Sequence, residues 1–254
     1  MTESQTKTKV CFVAGGATGI GAEVSRLMAG AGHRIAIFDI NQEDGGQLAA
    51  ELGGHFFHTD VRKEESFAQA ASDCIAQLGV PTYVSLNFGV MTAASDSPFL
   101  PLEKVDTAAY RRVMSVNVDG VFFALRHLIP LMRESGGAIT VTASRAALVP
   151  TAADVIYAAS KASVLHLTRS AAASERKGRL RINALCPGTV DTGMLSTVVR
   201  EAGIPLISAT DMAREVVSLM IDGKNGEVRG RIHGKDAQTI GVFNNEFEYK
   251  PTRS

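Results

Sequence analysis

Two kinds of apolar pattern alternate along the chain. Short blocks that are apolar at nearly every position, such as Val10-Cys11-Phe12-Val13-Ala14, give way to longer stretches whose apolar residues return every three or four positions. The short blocks predict strands at Val10–Ala14, Arg34–Phe38, His55–Thr59, Tyr83–Leu86, Ala138–Thr142, Arg181–Cys186 and Val228–His233. The longer stretches predict helices at Ile20–Ala31, Gln42–Leu52, Glu64–Leu78, Asp106–Arg133 (with a bend), Ala153–Lys177 and Asp211–Ile221. Strictly alternating strand and helix, with strands apolar on both faces, predicts an α/β fold: a seven-stranded, mostly parallel sheet with helices on both faces. No shift in composition divides the 254 residues, so one domain over 1–254 is expected. Two stretches escape the pattern, Val90–Val105 and residues 193–210, and long loops of this kind are where such sheets place ligands.

Composition narrows the function. Formal net charge is zero, which argues against nucleic acid or an anionic membrane as the main partner. The polar start, Met1 to Lys9, lacks the apolar core of a secretory signal, and no run reaches the roughly 18 apolar residues of a membrane span, so a cytoplasmic protein is expected. Cys11, Cys74 and Cys186 are scattered and read as buried reduced thiols. The six histidines show no metal-ligand spacing, so no metal is expected.

A glycine-rich turn, Gly15-Gly16-Ala17-Thr18-Gly19-Ile20-Gly21, ends the first strand and opens the first helix. Glycines let the backbone approach a diphosphate, and the helix N-terminus offers free N–H groups and partial positive charge. Asp39 ends the second strand about 20 residues beyond the turn, where a carboxylate can accept from both ribose hydroxyls of a dinucleotide. It would repel a 2′-phosphate, and Thr18, Ile40 and Asn41 supply no compensating charge, so NAD is favoured over NADP.

Tyr157 and Lys161 are four residues apart in Tyr157-Ala158-Ala159-Ser160-Lys161, one turn apart on one helix face. An ammonium beside a phenol favours the phenolate and draws its pKa down from about 10, which makes the tyrosine a general acid–base for an alcohol or carbonyl. Alone the spacing is common, as is a serine at a strand end or an asparagine in a helix.

Taken in order, these residues resemble the short-chain dehydrogenase/reductase family, in its main branch of roughly 250-residue NAD(P)-dependent oxidoreductases with a Rossmann fold. The resemblance covers Val10 to about Gly234. It rests on Gly15-x-x-x-Gly19-Ile20-Gly21, Asp60-Val61, Asn87-Phe88-Gly89, Asn117, Ser144 thirteen residues before Tyr157, and Pro187-Gly188-Thr189-Val190-Asp191-Thr192. It implies a catalytic set of Asn117, Ser144, Tyr157 and Lys161. Tyr157 would transfer the proton, Lys161 would tune it and hold the nicotinamide ribose, Ser144 would hold the reacting oxygen, and Asn117 would bind a water that links Lys161 to solvent. Cofactor contacts would come from Gly15, Thr18, Gly19, Ile20, Gly21, Asp39, Asp60, Val61, Asn87, Gly89, Tyr157, Lys161, Pro187, Gly188, Val190 and Thr192. The resemblance further implies a homotetramer or homodimer.

Three positions depart from the family pattern. Ala14 stands where threonine is usual, Phe88 where alanine is usual, and the Ile232-His233-Gly234-Lys235 segment is looser than the family's Asp-Gly-Gly. The lost Ala14 hydroxyl and the bulky Phe88 touch neighbouring parts of the sheet and are expected to offset each other. The 235–254 tail carries Phe243, Phe247 and Tyr249, which are expected in the core or at a subunit contact. Residues 193–210, with Met194, Leu195, Val198, Val199, Leu206 and Ile207, are expected to form a substrate lid. The resulting reading is hydride transfer between NAD(H) and a largely apolar secondary alcohol or ketone. An NADP-dependent carbonyl reductase and a non-catalytic dinucleotide-binding sensor are the alternatives.

Overall fold

The computed structural model describes residues 8–94, 96–175 and 178–241. The chain runs β1 (Val10–Ala14), α1 (Gly19–Gly30), β2 (Arg34–Asp39), α2 (Gln42–Glu51), β3 (His55–His58), α3 (Glu64–Leu78), β4 (Tyr83–Leu86), α4 (Thr107–Met114), α5 (Gly120–Met132), β5 (Gly137–Thr142), α6 (Val155–Ser174) and β6 (Leu180–Pro187). It continues with β7 (Val190–Asp191), α7 (Thr197–Glu201), β8 (Ile207–Ser208), α8 (Ala209–Ile221), β9 (Val228–Arg231) and β10 (Gln238–Gly241). Eight strands form one sheet in the order β10-β9-β6-β5-β4-β1-β2-β3, parallel throughout except for β10. β7 and β8 pair separately. This is a Rossmann-like sheet with helices on both faces.

The sheet has one strand more than the seven expected. The extra strand, β10, lies antiparallel on β9 within the segment read as a tail. Three of its four residues are exposed, so it carries no buried apolar alternation for the pattern to reveal. Phe243, Phe247 and Tyr249 lie outside the described residues.

Alternation along the strands builds two cores. Phe12, Phe38, Val84, Ile139 and Ile182 face α3, α5 and α6; Val13, Ile37, Leu185 and their neighbours face α1, α2 and α8. Fully burying each large side chain contributes about 1.5–3 kcal/mol. All three cysteines are buried and free. Strand order reverses between β4 and β1, and at that switch point the carboxyl ends of the strands open a crevice.

The helix expected over Asp106–Arg133 is divided. Between α4 and α5 lies one π turn, Ser115–Asp119, whose extra residue turns Asn117 fully into the interior.

Candidate active site

The glycine turn lies at the switch point. Gly15 has φ +67°, and a Cβ there would come within 2.6 Å of the Phe88 nitrogen. A Cβ on Gly21 would collide with the Gly15 carbonyl oxygen. Any side chain at either position would fill the cradle. Thr18 precedes α1 without a side-chain cap, and the first turn holds no acidic residue, so no side chain claims the N–H groups of Gly19, Ile20 and Gly21 there. A cleft of about 450 Å³ opens above them, lined by Ala17, Thr18, Gly19, Thr192, Gly193 and Arg200 among others. Thr192 reaches the turn from the other side: a Cβ on Gly19 would lie 3.1 Å from its Cγ2. The donor set and the shape fit a dinucleotide diphosphate.

Asp39 closes β2 beside this turn. Its Oδ2 accepts from Ala17 N–H and its Oδ1 from Asn41 N–H, both at 3.0 Å, which leaves one acceptor site on each oxygen for a ribose hydroxyl. Asp60 is more fully engaged. Arg62 donates to both its oxygens at 2.8 Å and holds its carboxyl below the usual carboxylate range, so three of its four acceptor sites are used. Arg62 was not singled out from the sequence.

The departures at Ala14 and Phe88 meet in one hydrophobic cluster. The Asn87 N–H still donates to the Ala14 carbonyl at 2.8 Å, so the backbone link between the two segments stands without a threonine hydroxyl. Gly120 of α5 also makes room for the Phe88 ring: a Cβ on Gly120 would lie 2.9 Å from Phe88 Cε2 and 3.1 Å from Val61 Cβ. The Asn87 side chain joins two strand ends, bonding Ser85 Oγ at 2.9 Å and accepting from Thr142 Oγ1 at 2.9 Å.

The end of β5 and the start of α6 bring Ser144, Tyr157 and Lys161 together. The Ser144 Oγ accepts from Ala146 N–H at 3.1 Å, and its hydroxyl lies near enough to Tyr157 to pull that phenol's pKa down. Lys161 is buried, donates through Nζ to the Thr142 carbonyl at 3.0 Å, and stands 5.9 Å from the Tyr157 ring centre. Gly89 abuts the same ammonium: a Cβ there would be 3.1 Å from Nζ. Asn117 bonds Val90 through Oδ1 (2.8 Å) and Nδ2 (3.0 Å), and Nδ2 also donates to Ser160 Oγ at 2.9 Å. Ser160 in turn donates to the Tyr157 carbonyl at 2.7 Å.

Burial dominates the electrostatics here. It pushes the Tyr157 hydroxyl up to about 12, against the pull of the Ser144 hydrogen bond and with a further push from the Asp154 charge. It pushes Lys161 down to about 8. The downward draw of Lys161 expected from the spacing is not among the influences on Tyr157, where desolvation leads. Two further residues stand at the site: Cys186, read from the sequence only as a buried thiol, and Asp154, not singled out there. Burial pushes the Cys186 thiol up to about 11, against smaller downward pulls from the Ser144 backbone and the Lys161 charge. Asp154 caps α6, accepting from Tyr157 N–H at 3.0 Å; an Asp three residues ahead of Tyr157 at the start of a helical run is the N-cap signal that marks it.

Pro187 and Gly188 extend β6 along β9, with Gly188 N–H donating to Arg231 O at 2.8 Å. Val190 pairs with Ile207. Residues 193–210 hold α7 and β8; Leu195 and Ile207 are buried against the body, whereas Met194 is 43% exposed. Among the described residues no helix is long and apolar enough to cross a membrane.

Comparison with known proteins agrees with this fold. A family profile described as short chain dehydrogenase matches residues 9–203. The chain is 35% identical over 201 residues to a 2,5-dichloro-2,5-cyclohexadiene-1,4-diol dehydrogenase of Sphingobium indicum, covering 77% of this chain and 78% of that protein. It is 35% identical over 215 residues to a cis-4-hydroxycyclohexanecarboxylate dehydrogenase of Sinomonas cyclohexanicum, covering 82% of each. It is also 35% identical over 191 residues to a 3-beta-hydroxysteroid dehydrogenase of Comamonas testosteroni, covering 74% of this chain and 73% of that one. The crystal structure of a 3-ketoacyl-(acyl-carrier-protein) reductase from Brucella melitensis, complexed with NADH, shares the fold with a TM-score of 0.80 at 24% identity, over 87% of this chain and 96% of that one. The chain belongs to the short-chain dehydrogenase family of oxidoreductases.

Proposed function

We propose that this family member is an NAD-dependent dehydrogenase of apolar, ring-bearing secondary alcohols, reversible toward the matching ketones. One observation carries the reading: Ser144, Tyr157 and Lys161 converge at the carboxyl end of the sheet, beside a glycine turn shaped for a diphosphate. Tyr157 handles the proton. Its hydroxyl, held protonated at neutral pH, donates to a carbonyl oxygen in reduction; in oxidation it first releases its proton to solvent and, as the phenolate, takes the proton of the alcohol. Ser144 holds that oxygen and stabilises the charge that develops on it. Lys161, with its pKa near neutrality, brings positive charge to the phenol's side of the site and exchanges protons with solvent through a water on the remaining acceptor site of Asn117 Oδ1.

The nicotinamide, when bound, supplies the hydride acceptor or donor. Gly15, Thr18, Gly19, Ile20 and Gly21 would hold its diphosphate, Asp39 the adenosine ribose, and Asp60 and Val61 the adenine. Asn87, Gly89, Tyr157 and Lys161 would line the nicotinamide riboside, with Pro187, Gly188, Val190 and Thr192 against the carboxamide. The Asp39 carboxylate favours NAD, since a 2′-phosphate beside it would meet like charge.

Exposed apolar side chains on the loops at the carboxyl ends of the strands support this substrate class. Leu100, Leu148, Val149 and Met194 expose apolar surface on the loops that leave the carboxyl ends of β4, β5 and β6. Three relatives, by their names, act on cyclic alcohols. Tyr110, Phe122 and Leu131, exposed on α4 and α5, support a homodimer or homotetramer, measurable by light scattering. The test of the reading is a panel of cyclohexanols and hydroxysteroids offered with NAD and with NADP, followed by reduced-cofactor absorbance. NADH formation with at least one member, faster than NADPH formation, is expected; silence across the panel in both directions refutes it.

A further inference from the structure

Residues 89–92 leave the end of β4 without a neighbouring strand and are held by side chains instead. Asn117 takes both the N–H and the carbonyl of Val90. Asp154 Oδ2 accepts from Thr92 N–H at 2.8 Å, and Arg112 of α4 donates to the Thr92 carbonyl at 2.7 Å. Three elements, α4, the π turn and α6, therefore grip one strip of backbone, and that strip opens the loop that follows the carboxyl end of β4.

Asp154 is the grip that belongs to α6. It is only 3% exposed. A helix cap needs one acceptor, as Ser208 shows on α8 and Asn41 on α2. Asp154 caps with Oδ1, leaving Oδ2 for the loop. A buried carboxylate is costly unless its oxygens are hydrogen-bonded, so both N–H groups matter to keeping it in place. We propose that Asp154 is a positioning residue that locks Tyr157 to the 89–92 strip, so that the cleft wall and the acid–base group move as one body. The role toward catalysis rests on Tyr157 being the acid–base group. The ionisable or polar groups facing that tyrosine are Ser144 from the end of β5 and Asp154 and Lys161 from α6, with Cys186 of β6 beyond Lys161. Asp154 is the negative charge among them that raises the tyrosine.

Two variants of the full chain separate capping from locking. Asp154→Ser keeps a cap for Tyr157 N–H but is too short to reach Thr92 as well. Asp154→Asn keeps one acceptor and turns an amide N–H toward the other donor. Hydrogen exchange read by mass spectrometry should show the 89–92 strip exchanging about tenfold faster or more in both variants, because one charge-assisted hydrogen bond is lost. In Asp154→Ser the first turn of α6 stays protected. On the alcohol that the wild type oxidises, kcat should fall between about tenfold and 100-fold, as misplacement of a catalytic group does. NADH affinity should hold. The acid limb of the oxidation profile should move to lower pH in both variants, since the charge that raises Tyr157 is gone. Unchanged exchange in the strip overturns the proposal. So does a faster strip with kcat and the pH limb untouched, because Asp154 would then hold the loop without acting on Tyr157. If the wild type oxidises no alcohol, the functional reading fails, while the exchange data still decide the lock.

Discussion

Replacing Asn117 by alanine tests how the site is held together. The side chain is fully buried and makes three hydrogen bonds, two to Val90 and one to Ser160. Truncation strands the Val90 N–H and carbonyl, whereas Ser160 keeps its bond to the Tyr157 carbonyl. Each stranded buried group costs about 1–3 kcal/mol. Val90 is half-buried, so water recovers part of that, and about 3 kcal/mol is the expected loss. For a chain of this size the loss corresponds to a fall in Tm of roughly 6–12 °C. Urea unfolding followed by circular dichroism, paired with a thermal scan, measures both. Asn117→Asp should rescue little, since it keeps an acceptor for Val90 N–H but sets a second oxygen against the Val90 carbonyl. A loss below about 1 kcal/mol for Asn117→Ala would refute the reasoning, because the three bonds would then be replaced by water at no cost.

Lys161 carries a pH signature. Burial sets it near 8 in the folded chain, below its ordinary 10.5, so the unfolded chain binds more protons between those values and the stability due to this residue rises with pH across that window. Relative to Lys161→Met, wild-type unfolding free energy should climb by about 3 kcal/mol from near pH 8 to near pH 10.5 in paired urea titrations, and a flat difference would contradict the burial. Gly120→Ala should drive a Cβ into Phe88, and adding Phe88→Ala should relieve it; the double-mutant cycle is expected to give a coupling of about 1–2 kcal/mol, and additive effects would count against the contact. Asp39→Ala should narrow the preference for NAD over NADP in Kd measured by reduced-cofactor fluorescence, and an unchanged ratio would remove the ribose contact.

The sheet was legible because its strands are apolar on both faces and its helices are not. Val10–Ala14, Glu64–Leu78 and Tyr83–Leu86 coincide with the observed elements residue for residue. β7, α7, β8 and β10 were not legible: they run two to five residues, too short to carry a period. The helix bend around Asn117 was anticipated, but its form as a π turn was not, since one inserted residue leaves the apolar spacing almost unchanged. At the site, sequence spacing placed Tyr157 and Lys161 on one helix face but could not show how deeply both are buried, and burial reverses the expected direction of the tyrosine. Arg62 pairs with Asp60 only two residues away in no recognised motif, Gly120 meets Phe88 across the fold, and Asp154 reaches Thr92 through a second oxygen.

The central claim is that Tyr157 moves the proton while the rest of the site holds the dinucleotide. The direct measurement is NADH formation from a cyclic secondary alcohol by wild type and Tyr157→Phe, side by side with NADH affinity for both. The phenyl ring keeps the shape and loses only the hydroxyl beside Ser144. Turnover should fall by about 10²-fold or more, the scale of lost general acid–base catalysis, with NADH affinity nearly unchanged. Turnover within a few-fold of wild type in Tyr157→Phe would contradict the account.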